Sequence, residues 1–161
     1  MFFVNISPKL VLNFIGRLRG MPEEGIEARV KNMVKILDLE ERIDSKLSSY
    51  SKGMKQKISF AATIIHEPKL VLLDEPISGL DPRYGKLIKD WILRSSIREN
   101  TIILSSHMTE LVEAVCTRVM ILDKGIAKDF GTVEQLKTKT GADTLEEVFI
   151  ELTGGPIKAD F

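Results

Sequence analysis

The chain has 161 residues, 43% of them hydrophobic, with 23 Lys+Arg against 23 Asp+Glu and so no net charge. That is one domain by size, with enough apolar material for a core. Nothing in the charge balance suggests a polybasic nucleic-acid or membrane surface. A single cysteine, Cys116, excludes an internal disulfide framework and fits a reducing cytosol. Beside Val115 and Val119 it reads as buried filler rather than a nucleophile. The longest stretch free of Asp, Glu, Lys and Arg runs from Asn100 to Thr109, short of the ~20 residues of a membrane helix. Met1-Phe2-Phe3-Val4 lacks the basic start of a signal peptide, and Pro8-Lys9 interrupts any apolar core for one.

In chain order, Ser7-Pro8 is a helix start, with Ser as N-cap and Pro at the first helical position. Leu10, Val11, Phe14, Ile15 and Leu18 follow at helical spacing as one apolar stripe, and Gly20 ends the helix. Pro22-Glu23-Glu24 opens a second helix with acids at the positive end of its dipole. Ile26, Val30, Met33, Val34 and Leu37 form its apolar face, with Arg29, Lys31 and Lys35 on the wet one. Both read as an ordinary helical subdomain without chemistry of its own.

Leu47 to Lys57 is a polar, small-residue loop running into a helix that carries Ile58, Phe60, Ala61, Ile64 and Ile65. Ser51 and Gly53 at its start leave backbone N–H groups and the positive dipole end facing outward, a ready anion site. Leu70-Val71-Leu72-Leu73-Asp74-Glu75-Pro76 then reads as a strand apolar on both faces, buried in the middle of a sheet. It delivers two carboxylates to its C-terminal edge, where open α/β sheets place their ligands. In phosphate chemistry Asp74 would hold Mg²⁺ and Glu75 would polarise the attacking water. Ser78-Gly79-Leu80-Asp81-Pro82 turns the chain onward.

Arg83 to Arg98 reads as a helix with Leu87, Ile88, Trp91 and Ile92 inward. Thr101 to Ser105 is a second buried strand, leading into Ser106-His107. Met108 to Val115 is a helix. Val119 to Asp123 and Ile126 to Phe130 make a hairpin around Lys124-Gly125. Gly131-Thr132 caps a helix from Val133 to Lys139. A last amphipathic helix turns Leu145, Val148, Phe149 and Leu152 to one side.

Tyr50-Ser51-Lys52-Gly53-Met54-Lys55-Gln56, one helix ahead of Leu70–Pro76 and then Ser78–Asp81, resembles the nucleotide-binding subunit of an ABC transporter. The first segment is similar to the family's signature motif, LSGGQ. Tyr50 stands for Leu, Lys52 for the first Gly and Met54 for Gln. Leu70–Pro76 resembles Walker B with its catalytic glutamate, and Ser78–Asp81 the D-loop. His107 resembles the switch histidine, which contacts the γ-phosphate. The opening Phe2 to Ser7, the ending from Ile121 to Leu136 and the tail from Asp143 to Gly154 are also similar, the tail to subunits of multidrug and other ABC-2-type exporters.

The resemblance implies an α/β fold: a P-loop-NTPase-like ABC nucleotide-binding domain fragment with a mainly parallel sheet and an N-terminal helical subdomain. Residues 1–66 would be the helical subdomain with the signature motif. Residues 67–161 would be the C-terminal part of the α/β core. It implies ATP and Mg²⁺ as cofactors, Glu75 and His107 as catalytic residues and Asp74 at the metal. Ser51, Lys52, Gly53, Met54 and Asp81 would contact nucleotide. Implied partners are a second nucleotide-binding subunit and an ABC membrane subunit, on the cytoplasmic face of the membrane, with no nucleic acid. No Gly-x-x-x-x-Gly-Lys-Ser/Thr occurs in the chain. The expectation is therefore a truncated or split ATPase, inactive alone, that pairs with itself, with a separately encoded Walker A half or with a degenerate partner. The alternatives are a non-catalytic interaction module and a DNA-repair type ABC ATPase. Zero net charge and the lack of coiled-coil heptads disfavour the last.

Overall fold

The computed structural model describes residues 5–97 and 100–154. The family-like opening at Phe2-Phe3-Val4 and Arg98 at the end of a helix lie outside them. Packing divides the chain into two compact units, the first up to Leu104 and the second from Ser105. β1 (Leu70–Asp74), α4 (Pro82–Ile97) and most of β2 (Thr101–Ser105) therefore group with the preceding helices.

In the first unit α1 spans Pro8–Leu18, α2 Glu23–Ile36 and α3 Lys52–Ile64. Ser7 caps α1 by accepting the Leu10 N–H at 3.4 Å, and Pro8 takes the first helical position. The apolar stripe of α1 is not its buried face. Pro8, Val11, Leu12 and Gly16 go in, while Leu10, Phe14 and Leu18 stay exposed. The reason is Gly16. A Cβ there would stand 2.9 Å from Ile26 Cγ1, so its bare backbone lets α2 close onto α1. The face of α2 is as expected, with Ile26, Val30, Met33, Val34 and Leu37 all buried. Arg29 ties α2 to the end of α3, donating to Ile65 O at 3.3 Å and pairing with Glu67 at 2.7 Å.

β1 and β2 are hydrogen-bonded neighbours joined by the α4 crossover, a parallel pair. The Thr101 N–H donates to Lys69 O at 2.8 Å and sets their register. The expectation of two fully buried strands is corrected here. Val71 and Leu73 are buried, but Leu70 is 55% and Leu72 66% exposed. In β2, Ile103 is 57% exposed, with Ile102 and Leu104 half-buried. The helices of this unit cover one face of the sheet only. Phe60 of α3 meets Trp91 of α4 edge-to-face at 5.2 Å between centroids, inside the covered side.

The second unit holds α5 (Thr109–Val115), β3 (Val119–Asp123), β4 (Ile126–Gly131), α6 (Val133–Thr140) and α7 (Leu145–Thr153). β3 and β4 pair antiparallel around Lys124-Gly125, both at positive φ (49° and 78°), as a tight hairpin turn requires. A bulge between Ile121 and Leu122 shifts the register. Val119, Ile121, Leu136, Leu145 and Val148 make the core, with Cys116 packed against it. Burial pushes the Cys116 thiol up, in keeping with filler. Both later helices open on capping boxes, Thr132 with Gln135 and Thr144 with Glu147. Phe149 departs from the expected inward face of α7 and is 43% exposed.

Candidate functional site

The site in the first unit is built where α3 begins and β1 ends. Ser51 is the N-cap of α3, its hydroxyl accepting the Met54 N–H at 3.2 Å. The first N–H groups of the 13-residue helix that follows carry no intrahelical partner, and the dipole adds positive potential there. Ser51 and Lys52 are exposed, and Gly53 and Met54 half-buried. Tyr50, just before the cap, is structural. It is buried, and its hydroxyl donates to Arg42 O at 2.5 Å.

A Cβ on Gly53 would lie 3.7 Å from Leu80 Cδ2 and 3.9 Å from Gly79 O. The start of α3 thus sits against the 78–81 turn. Gln56, one turn further along α3, donates from Nε2 to Glu75 O at 3.3 Å and Pro76 O at 3.1 Å. These bonds fasten the helix start to the strand end that carries the two acids. Sequence reasoning quoted Gln56 as part of a motif and gave it no task. The signal was its place one turn after Gly53 on a helix that heads for an apolar face.

Asp74 closes β1 and is exposed; Glu75 follows, half-buried, at φ 44°. Left-handed backbone at a non-glycine residue costs roughly 1–2 kcal/mol. It swings the chain out of the strand direction directly after Asp74. Asp81 has a clear local role, since its Oδ1 accepts the Arg83 N–H at 3.1 Å and the Tyr84 N–H at 3.3 Å at the start of α4. Among the described residues no group of three His, Cys, Asp or Glu gathers to hold a metal. An all-protein cage is thus absent there. Asp74 offers one exposed carboxylate, which fits an ion that takes few protein ligands and keeps water or phosphate oxygens for the rest.

His107 lies in the second unit, on the exposed turn before α5, where Ser106 Oγ accepts the Met108 N–H at 3.1 Å. The other histidine, His66, follows α3. Its Nδ1 is buried without a partner, and burial together with Arg19 holds its pKa below the ordinary value.

A parallel βαβ pair with acids at its carboxyl edge and a helix start beside them is an α/β arrangement of the kind that places ligands at its strand ends. Comparison with known proteins narrows this. The family described as ABC transporter matches residues 6–78. An uncharacterised ABC transporter ATP-binding protein of Methanocaldococcus jannaschii is 40% identical over 129 residues, 80% of this chain and 49% of that protein. The ABC transporter ATP-binding protein NatA of Bacillus subtilis is 31% identical over 145 residues, 90% of this chain and 59% of that protein. A solved structure of an ATP-binding subunit of an ABC transporter superposes with a TM-score of 0.89 at 28% identity, over 94% of this chain and 64% of that one. Over most of its length the chain is similar to ABC transporter ATP-binding proteins. It spans about half to two thirds of the length of these relatives. Among the described residues no helix is long and apolar enough to cross a membrane.

Proposed function

We propose that this chain is the signature and Walker B portion of an ABC-type ATPase that hydrolyses ATP to drive export through a separate membrane subunit. The observation that carries the reading is the Gln56 tie, which holds an anion-receptive helix start and the Asp74-Glu75 strand end in one rigid piece. Ser51, Lys52, Gly53 and Met54 present N–H groups and a cation to a triphosphate held opposite them. Asp74 holds Mg²⁺, which supplies charge neutralisation on the phosphate oxygens when bound. The Glu75 carboxylate orients the attacking water and takes up its proton. His107 donates a hydrogen bond to a phosphoryl oxygen, a role resting on the family resemblance and the chemistry of imidazole. Asp81 shapes the turn beside Gly53 through its cap on α4 and contributes to the same surface.

Affinity for ATP in such sites rests on a phosphate-cradling loop and its lysine. This chain therefore binds ATP weakly by itself and turns over only when another segment or a second nucleotide-binding subunit supplies that loop. The test is a titration with ATP and Mg²⁺ followed by phosphate release, with and without a P-loop half taken from the Bacillus relative. Weak binding alone, turnover with the added half, and a drop of about 10²–10⁴ in rate on Glu75→Gln support the reading. Tight binding by the isolated chain, or turnover indifferent to Glu75→Gln, overturns it.

A further inference from the structure

The first unit contains a cleft of ≈ 380 Å³ between α2, α3 and α4, whose lining includes neither Asp74 nor residues 51–54. Its lining is mainly apolar, with Ile36, Phe60, Leu87 and Trp91 among the walls. Its rim is not neutral. Arg83, Lys86 and Arg94 stand on one stripe of α4 against a single carboxylate, Asp90, so three cations face one anion. Among the described residues none of the three cations has an ion-pair partner. A second, more polar cleft of ≈ 280 Å³ shares Ile36, Arg83 and Leu87 with the first and adds Lys35, Tyr84 and one carboxylate, Asp38, so two cations there face one anion. An apolar trough thus opens at one end onto a polar recess, and Arg83 stands in both.

We propose that this groove binds a small amphipathic anion, a single alkyl chain with one carboxylate head. The size fits: 380 Å³ takes about a dozen groups of water or methylene size at roughly 30 Å³ each. Small-molecule sites of this volume are mostly apolar with a few placed polar groups. The chain lies along Phe60, Leu87 and Trp91, and the carboxylate sits at Arg83 and Lys35. A neutral chain of equal length forgoes the charge-assisted bonds, and a cationic one meets like charge. Occupancy braces α2 against α4 and so stabilises the first unit by mass action.

Trp91 is the only tryptophan and lines the cleft, so it reports occupancy directly. The probe is dodecanoate, titrated below its micellar range into the full chain, with dodecanol and dodecylammonium as controls. The expected result is a saturable change in Trp91 emission and a rise in the thermal midpoint with dodecanoate. Arg83→Glu with Lys35→Glu should weaken it about tenfold or more. Both side chains are exposed, so an unchanged circular dichroism spectrum checks folding. Leu72→Lys, on the open face of β1, should leave the titration unchanged. No saturable Trp91 response, equal responses to all three amphiphiles, or a response that survives the charge reversals and vanishes with Leu72→Lys each overturns the proposal.

Discussion

Gln56→Ala removes the fastening between α3 and the end of β1. The side chain donates two hydrogen bonds, at 3.3 and 3.1 Å, to carbonyls 19 and 20 residues away. Each such bond contributes about 1 kcal/mol net. The site is only part-buried, so water can reach the vacated carbonyls, and the larger penalty for orphaned groups does not apply in full. The expected loss is about 1–2 kcal/mol. With a urea slope of about 1–1.5 kcal/mol/M for a unit of this size, the midpoint falls by about 1 M. Trp91 lies in the first unit, so its emission follows that unit alone. Gln56→Glu should do worse, because a carboxylate then faces two carbonyl oxygens with nothing to donate. A midpoint shift below about 0.2 M for Gln56→Ala would mean the tie carries no load, and the rigid-piece argument for the site fails with it.

Gly16→Ala places a Cβ 2.9 Å from Ile26 and should cost about 1–3 kcal/mol by forcing α1 off α2, read as a lower thermal midpoint. Gly53→Ala meets only ordinary contacts at 3.7 and 3.9 Å. It should leave that midpoint nearly unchanged, so any loss of ATP turnover in the complemented assay reports ligand approach rather than folding. His66 gives a pH dependence of fixed sign. Burial, then Arg19, depresses its folded pKa, so the unfolded chain takes the proton more readily. Stability is full above the unfolded value near 6.5 and is lost as pH falls through the lower folded value; urea melts of His66→Phe should lack that slope. Cys116, its thiol pushed up by burial, should react slowly with iodoacetamide at neutral pH until urea unfolds the second unit.

Helix starts were legible because their signals are local. Ser7-Pro8 and Ser51 cap as read, and Lys124-Gly125 makes the tight turn of a hairpin. The faces were less so. Four apolar residues in a row at Leu70–Leu73 conceal an alternation that only the fold reveals, with Val71 and Leu73 in, Leu70 and Leu72 out. Leu10, Phe14 and Leu18 share a helical face, yet hydrophobicity says nothing of which face a neighbour can approach. Gly16 decides that, by having no side chain. At the site, the strand-end acids and the capped helix were readable as types of residue. The reach of Gln56 across to residues 75 and 76 was not, since it depends on how α3 lies beside β1.

The bare face of β1 and β2, with Leu70, Leu72 and Ile103 in water, also bears on the chain's life in a cell. Apolar surface of this kind is what holdase chaperones grip and what lets nascent chains clump. Whatever lies over that face would compete with those fates, because a ligand of the folded form shifts the folding balance toward it. A segment or protein that covered that face would raise the steady-state amount of this chain even where its synthesis is constant.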